Sequence, residues 1–244
     1  MLSKNQIKLI KSLGQKKYRQ QLSLFTVEGI KGINEFLKSN YELDSLYTTE
    51  MIFETNERKI IEISELELQK ISALKNPNTA LAIFKIPEPG VVSQHGLIVA
   101  LDEVRDPGNL GTIIRLCDWY GVKQLVCSSK TVDCYNQKVV QATMGSLTRV
   151  QINYMDLEPY LKALSIPIYG TYMNGENIYT TQLPKEGIIV LGNEANGIST
   201  TIEGYVTQKL AIPRFGDSSS TESLNVANAT AIVLSEFRRR VIER

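Results

Sequence analysis

A chain of 244 residues with 43% hydrophobic and 22% charged residues has a globular composition, with room for one large domain or two modest ones. The formal net charge of +1 excludes a strongly basic or acidic protein, although six basic and no acidic side chains lie within residues 1–27. The chain has one histidine, and its three cysteines show no C-x-x-C spacing, which argues against a metal site and a histidine-dependent triad. No apolar run approaches ~18 residues, which argues against a membrane span. We therefore expect a cytoplasmic protein.

Helical and strand patterns alternate over the first 86 residues. Ser3 followed three residues later by Gln6 is typical of a capping box and predicts a helix that ends at Gly14. Ser64 similarly predicts a helix through Ile71. Another helix is predicted over residues 29–38, and strands over residues 24–27, 43–48, 59–63 and 79–84. This pattern indicates a small α/β domain.

A basic segment at residues 16–21 follows the first helix and contains Lys16, Lys17 and Arg19. The segment is either a solvated connector or a contact to the phosphate backbone of a nucleic acid, and its own residues favour neither alternative. In the second case the three cations would neutralise phosphates.

Pro87, Pro89 and Gly90 lie together in a stretch with little periodicity, which is typical of a linker. We therefore place a domain boundary near residues 86–94. The first domain covers residues 1–88 and the second covers residues 95–244.

The second domain begins with a strand and a helix. An apolar run at residues 97–101 predicts a buried strand, and after the turn that follows Asn109 is placed to cap a helix with Ile113 and Cys117 on its apolar stripe. Arg115 lies off that stripe. Its side chain either forms a surface ion pair with Asp118 or takes a direct part in the activity of the protein.

Strands continue to alternate with helices after this point. Such alternation implies a mainly parallel sheet with helices on both faces. The predicted strands cover residues 124–127, 150–154, 166–172, 187–191 and 209–212, and helices are predicted over residues 137–143 and 157–164.

A tight loop, Gly-Asn-Glu-Ala-Asn-Gly at residues 192–197, follows the strand at residues 187–191. Its glycines and asparagines suit positive-φ positions, and loops at the carboxyl ends of strands are where open α/β sheets bind ligands. The strand at residues 209–212 ends at Pro213, and Ser223 is predicted to cap the last helix. The N–H groups at the start of this helix would point toward a ligand.

Three motifs occur in a fixed order: LDEVRDPGNLGTIIR at residues 101–115, Ile-Pro at residues 212–213, and Ser-Leu-Asn-Val at residues 223–226. In this order, and with the loop at residues 192–197, they resemble the SpoU/TrmH-like RNA ribose 2′-O-methyltransferases of the SPOUT superfamily. The chain lacks a Rossmann G-x-G-x-x-G after its first parallel strand and also lacks a P-loop. Arg214 and a long loop at residues 215–221 depart from the family pattern.

The resemblance implies an α/β protein with an N-terminal RNA substrate-binding domain and a C-terminal, mainly parallel α/β-knot methyltransferase domain with a deep trefoil knot. It also implies a homodimer formed through the C-terminal domain, and S-adenosylmethionine as the cofactor. The implied activity is 2′-O-methylation of a ribose in structured RNA, with ribosomal RNA favoured over transfer RNA. The alternatives are a non-catalytic RNA-binding or ribosome-associated protein with the same fold, and an enzyme that methylates a base.

The resemblance also assigns residues to the site. We expect the glycines of the loop at residues 192–197 to let the backbone approach the ligand closely. Arg115 is expected to grip a phosphate and orient the 2′-OH, because a guanidinium holds its proton too tightly to be a good general base. The implied catalytic residues are Arg115, Asn109, Glu194 and Asn225, and the implied cofactor contacts are Thr171, Leu191, Gly192, Glu194, Gly197, Ile212, Ser223, Leu224 and Asn225.

Overall fold

The computed structural model describes residues 1–216 and 223–242, with side chains described through residue 239. The chain divides into two compact units. Unit 1 consists of Met1–Glu88 and Asp133–Thr148, and unit 2 consists of Pro89–Val132 and Arg149–Arg244. The segment Asp133–Thr148 falls, in sequence, between two strands of the second unit. The sequence did not indicate that it belongs with the N-terminal residues.

The α-helices and strands follow the order that the sequence predicts, with two additions, the helices at residues 16–22 and 200–203. The helices are α1 (Lys4–Ser12), α2 (Lys16–Leu22), α3 (Ile30–Leu37), α4 (Glu65–Ile71), α5 (Pro107–Trp119), α6 (Gln137–Thr143), α7 (Leu157–Lys162), α8 (Thr200–Glu203) and α9 (Val226–Ile242). The strands are β1 (Leu24–Glu28), β2 (Leu43–Thr48), β3 (Ile60–Glu62), β4 (Ala80–Lys85), β5 (Leu97–Leu101), β6 (Gln124–Ser128), β7 (Gln151–Met155), β8 (Ile168–Asn177), β9 (Gly187–Leu191) and β10 (Gln208–Ala211).

Unit 1 is built on a four-stranded sheet in the order β1-β4-β2-β3. The first two pairings are antiparallel and the pairing of β2 with β3 is parallel. The capping boxes at Ser3 and Ser64 are present and start α1 and α4. Buried residues of both helices, among them Ile10 and Leu68, pack with Tyr47 and Leu81 of the sheet. The small α/β fold predicted for the N-terminal part is confirmed.

Unit 2 is built on a six-stranded sheet in the order β10-β8-β9-β5-β6-β7, in which every pairing is parallel. All five residues of β5 and of β9 are buried, as their continuous apolar runs predict for strands covered on both faces. The mainly parallel α/β fold is confirmed, whereas the trefoil knot stays a prediction.

The parallel arrangement places the carboxyl ends of β9, β5 and β6 side by side at one edge of the sheet. At the neighbouring pair of β8 and β10 the register shifts: Lys209 is opposite Gly170, and Leu210 is opposite Glu176. Residues 171–175 therefore have no partner on β10. The prediction that β8 ends before residue 173 is wrong, because pairing resumes and the strand continues to Asn177.

No helix among residues 1–216 and 223–242 is long and apolar enough to cross a membrane.

Candidate functional site

The loop after β5 leads directly into α5, and Asp106 starts that helix. Its Oδ1 accepts a hydrogen bond from the backbone N–H of Asn109 at 2.8 Å, and Pro107 occupies the first helical position. The prediction that Asn109 caps the helix is therefore wrong. Because Asp106 is the cap, the Asn109 side chain points out of the first turn and can bond to other loops.

Three polar side chains, from the first turn of α5, the loop after β9 and the residue before α9, form a hydrogen-bonded chain at the carboxyl edge of the sheet. The Asn225 Nδ2 donates to Asn109 Oδ1 at 2.9 Å, and Asn109 Nδ2 donates to Glu194 Oε1 at 2.7 Å. Glu194 and Asn225 are exposed, and Asn109 is half-buried between them. The fold thus brings together three of the four residues to which the resemblance assigned catalysis, from positions up to 116 residues apart.

Asn225 also starts the last helix. Its Oδ1 accepts hydrogen bonds from the backbone N–H groups of Ala227 at 3.0 Å and Asn228 at 3.3 Å, and α9 begins at Val226. The prediction that Ser223 caps this helix is wrong, because the cap lies two residues later. Ser223 and Leu224 are exposed ahead of the helix. Most of the loop predicted at residues 215–221 lies outside the described residues.

The loop at residues 192–197 closes on itself. Asn193 and Gly197 exchange two backbone hydrogen bonds, at 2.9 and 2.8 Å. A Cβ at Gly192 would lie 2.1 Å from the carbonyl carbon of Gly197 and 2.2 Å from the nitrogen of Ile198. Gly192 therefore needs to be glycine because its own loop packs against it, and the expected approach of its backbone to a ligand stays a prediction. Gly197 has φ +67° and open space beside it, so its need for glycine is conformational.

Three expected cofactor contacts lie along adjacent strands at the same edge. Leu191 is the buried last residue of β9, Thr171 belongs to β8, and the half-buried Ile212 follows β10. The Thr171 hydroxyl donates to the carbonyl of Val190 at 3.3 Å. Burial, with smaller contributions from nearby carboxylates, raises the pKa of the adjacent Tyr172 to about 12, so its hydroxyl stays protonated.

A residue that the sequence reasoning missed, Glu103, anchors this edge. Its backbone N–H donates to Ser128 Oγ at 2.9 Å, and its carbonyl accepts from Asn193 Nδ2 at 2.8 Å. Its φ of 60° lies in the left-handed region. The Lys130 ammonium and then the Arg105 guanidinium hold the pKa of the Glu103 carboxyl below its usual value. Neither a left-handed glutamate nor its two cations leaves a local pattern in the sequence.

Arg115 is exposed in the middle of α5. The alternative that it pairs with Asp118 is wrong, since Asp118 Oδ2 accepts from Arg149 Nε at 2.9 Å. Within the described part of the protein, the Arg115 side chain makes no hydrogen bond or ion pair. The structure therefore does not join it to the hydrogen-bonded side chains of Asn225, Asn109 and Glu194. Its guanidinium is presented to solvent.

Arg19 differs from Arg115 both in burial and in its bonding partners. Its side chain is 2% exposed, and it donates to Asp133 Oδ2 from Nε at 2.9 Å and from Nη2 at 2.5 Å, and to the carbonyl of Leu13 from Nη1 at 2.8 Å. The prediction that Arg19 contacts RNA is wrong, because a buried guanidinium with these partners presents no donor to a phosphate. Lys16 and Lys17 are exposed on α2, which is a helix rather than a connector.

Comparison with known families matches both parts of the chain. The SpoU rRNA Methylase family matches residues 96–235, which include the loops of the hydrogen-bonded chain. An MRM3-like substrate binding domain matches residues 4–82.

Similar proteins match nearly the whole chain. A solved structure assigned to the TrmH family of RNA methyltransferases, from Porphyromonas gingivalis, is 38% identical with a TM-score of 0.91, over 98% of this chain and 99% of that chain. An AdoMet-bound rRNA methyltransferase from Sinorhizobium meliloti is 28% identical with a TM-score of 0.87, over 99% and 97%. The 23S rRNA (guanosine(2553)-2′-O)-methyltransferase RlmP of Bacillus subtilis is 29% identical over 97% of each chain. The resemblance inferred from the motifs is confirmed.

Proposed function

The chain belongs to the SpoU rRNA methylase family, and we propose that it transfers the methyl group of S-adenosylmethionine to a ribose 2′-oxygen of ribosomal RNA. The observation that carries this proposal is the chain of hydrogen bonds from Asn225 through Asn109 to Glu194. It joins the starts of α5 and α9 to the loop after β9, so three separate loops hold one polar surface at the carboxyl edge of a parallel sheet, where such sheets bind ligands.

The residues at this edge fit S-adenosylmethionine. Leu224 is 47% exposed and Ile212 is half-buried, so both present apolar surface that suits an adenine ring. The closed loop between Gly192 and Gly197 contributes backbone polar groups and the Glu194 carboxylate to the same edge of the sheet. Bound here, the cofactor supplies a methyl group that its sulfonium has already activated. Leu191, Thr171 and Ser223 complete the proposed set of contacts.

Arg115 is the proposed catalytic residue on the RNA side. Its exposed guanidinium can hold a phosphate through two N–H groups at once. We assign it to the phosphate beside the target ribose, where it orients the 2′-OH toward the methyl group. Positioning of this kind lowers a barrier by ~7–11 kcal/mol in favourable cases. The proton of the 2′-OH leaves to that phosphate or to solvent.

Asn109, Glu194 and Asn225 act together in this proposal. Asn225 uses both ends of its amide, since Oδ1 caps α9 and Nδ2 binds Asn109. Asn109 in turn uses both ends of its own amide, and it holds Glu194 in place. The Glu194 carboxylate is therefore the end of the chain that faces the ligands.

The alignment of the N-terminal residues with relatives favours ribosomal RNA over transfer RNA as the substrate. The relative from Bacillus subtilis, which is named for 23S rRNA, aligns over 97% of each chain and so includes unit 1. We propose that unit 1, in which residues 4–82 match a substrate binding domain, contacts RNA with Lys16 and Lys17. Trp119, 84% exposed on α5, supports a homodimer formed through the C-terminal domain. Localisation in the cytoplasm, beside this substrate, stays a prediction.

Analysis of the reaction product tests the proposal. The protein is incubated with S-adenosylmethionine carrying a labelled methyl group and with separated ribosomal and transfer RNA from cells that lack it. Digestion to nucleosides is expected to place the label on a ribose of ribosomal RNA. Label on a base would make the protein a base methyltransferase, and label on transfer RNA alone would change the substrate. No label in either RNA, from protein that binds the cofactor, would favour a non-catalytic RNA-binding protein.

A further inference from the structure

Two cations share one carboxylate at the carboxyl edge of the parallel sheet. Arg105 Nη2 donates to Glu103 Oε2 at 2.5 Å, and Lys130 Nζ donates to Glu103 Oε1 at 2.5 Å. The Arg105 and Lys130 side chains are 61% and 68% exposed, and that of Glu103 is 22% exposed. We call these three residues the Glu103 cluster. With two positive groups and one negative group, the cluster carries a net positive charge.

The backbone at the centre of the cluster is held in an unusual conformation. Glu103 has φ 60°, and left-handed conformations cost an L-residue ~1–2 kcal/mol. Side chains from the end of β6 and from the closed loop after β9 hold it there: Ser128 Oγ accepts from its N–H, and Asn193 Nδ2 donates to its carbonyl. Strained residues persist where the surrounding structure over-determines them, and they concentrate at ligand-binding sites. The cluster is therefore built by the fold, unlike a pair of mobile surface side chains.

The cluster is connected to the proposed catalytic residues. Asn193, which holds the Glu103 carbonyl, directly precedes Glu194 in the closed loop. Arg105 directly precedes Asp106, the cap of the helix that carries Asn109 and Arg115. Two short connections thus set the distance between the cluster and the site.

We propose that Arg105 and Lys130 bind a backbone phosphate of the RNA close to the target nucleotide, with Glu103 as the residue that positions both cations. This inference rests on the proposed function. Within residues 1–216 and 223–242, the one bond found for Arg105 uses Nη2, which leaves Nε–H and Nη1–H groups for a phosphate oxygen. Lys130 likewise retains two of its three N–H donors.

A phosphodiester suits this cluster in charge and in purpose. It carries one negative charge, which matches the net charge of the cluster, and a guanidinium fork with a neighbouring ammonium is an arrangement that holds phosphate oxygens well. Phosphate contacts fix the register of a nucleic acid without reading its bases. A contact here sets how far along the strand the ribose lies that reaches the methyl group.

The other end of α5 offers a matched control. Arg149 Nε donates to Asp118 Oδ2 at 2.9 Å, so this cation is paired with a carboxylate, and its side chain is 43% exposed. Asp118 lies near the last residue of α5, whereas Arg105 precedes the first. The Arg149 pair is therefore separated from the proposed site by the length of the helix.

RNA binding as a function of salt is the first test. The double variant Arg105→Gln, Lys130→Gln is compared with Arg149→Gln and with the unchanged protein, using a fluorescent single-stranded RNA of mixed sequence. Each phosphate that is no longer neutralised is expected to lower the slope of log affinity against log salt by ~0.7. The double variant should show this fall, with the same affinity for S-adenosylmethionine in calorimetry. An unchanged slope, or an equal fall in Arg149→Gln, would overturn the inference.

A second variant tests the positioning role of Glu103. In Glu103→Gln both cations remain but lose the carboxylate that orients them. We expect RNA affinity to stay the same or rise, while the single-turnover methylation rate at saturating RNA and cofactor falls several-fold. Unchanged rate would mean that Glu103 does not position the cations, and a parallel loss of RNA and cofactor affinity would mean that it only maintains the fold.

The two tests separate this inference from the proposed function. Protein that methylates no RNA but shows the reduced salt slope in the double variant would refute the proposed activity and leave the phosphate contact standing. Protein that methylates ribose but shows no change of slope would refute the phosphate contact alone.

Discussion

Two arginines on two helices show how burial separates a structural side chain from one available for function. Arg19 on α2 is 2% exposed and uses Nε, Nη1 and Nη2 to bind Asp133 and the carbonyl of Leu13. Arg115 on α5 is exposed, and no bond of its side chain is found in the described residues. From the sequence, Arg19 was a candidate for RNA contact, and Arg115 was a candidate for catalysis with an ion pair to Asp118 as the alternative. The structure buries Arg19 and pairs Asp118 with Arg149 instead.

The two guanidinium groups differ in their surroundings: one is enclosed by protein partners and the other faces solvent. Arg19 exchanges hydration for a carboxylate and a backbone carbonyl in unit 1, and it thereby fixes the segment Asp133–Thr148 to α2. Arg115 is exposed, so its N–H donors face solvent. Removal of Arg19 should therefore act on stability, and removal of Arg115 should act on turnover.

The largest effect is expected for Arg19→Met. It leaves Asp133 with its carboxylate 14% exposed and its partner gone, and breaking a buried pair in this way costs ~3–5 kcal/mol. Hydrogen exchange followed by mass spectrometry should show faster exchange in peptides from α2 and from Asp133–Thr148. The double variant Arg19→Met, Asp133→Leu should recover most of the loss, because replacing both charges with apolar groups is often neutral. Exchange at the parent rate in the single variant would show that the pair contributes little.

A loss of turnover is the next largest effect, in Arg115→Ala and Arg115→Lys. Lysine keeps the charge but loses the planar grip on phosphate, so both variants should react at least ~100-fold more slowly, which corresponds to ~2.7 kcal/mol. Single-turnover methylation at saturating RNA and cofactor measures this, and Arg149→Ala is the control on the same unit. Cofactor affinity should be nearly unchanged. A rate within a few-fold of the parent in Arg115→Ala would make Arg115 an ordinary surface residue.

Local chemistry predicted most elements, and tertiary contacts decided what it could not. Caps at Ser3 and Ser64, and apolar runs such as Gly187–Leu191, depend on neighbouring residues and were placed correctly. The membership of Asp133–Thr148 in unit 1 depends on a pair 114 residues apart, which no local pattern records.

The site was predicted through its motifs, but the roles within it depend on geometry. Asn109 was given the cap that belongs to Asp106, and Ser223 the cap that belongs to Asn225, because either residue type can cap a helix. Which of two nearby candidates does so depends on where the helix is stopped by packing. The bond between Asn109 and Asn225 spans 116 residues and became visible only in the fold.

A smaller effect is expected at the loop between Gly192 and Gly197, where the two glycines serve different purposes. In Gly192→Ala the new Cβ meets backbone at 2.1 Å, and backbone cannot rotate away as a side chain can. The loop must open, so affinity for S-adenosylmethionine should fall at least ~10-fold, or ~1.4 kcal/mol. In Gly197→Ala there is space, and only the left-handed conformation costs ~1–2 kcal/mol, part of which the loop can relieve. Calorimetry should therefore show the greater loss for Gly192→Ala. The reverse order, in folded proteins, would mean that the loop does not shape the cofactor pocket.

The smallest effect is expected for Lys16→Gln with Lys17→Gln, the two exposed cations that precede the buried Arg19 on α2. Because they are solvated, their removal should leave the stability of unit 1 unchanged, in contrast to Arg19→Met. If they meet phosphates of single-stranded RNA, the slope of log affinity against log salt should fall by ~0.7 for each phosphate that is no longer neutralised. Fluorescence anisotropy with labelled RNA measures the slope, and Lys75→Gln with Lys85→Gln, a change of equal charge elsewhere in unit 1, is the control. An equal fall in the control pair would indicate a diffuse charge effect, and no fall in either pair would return the lysines of α2 to a purely solvated surface.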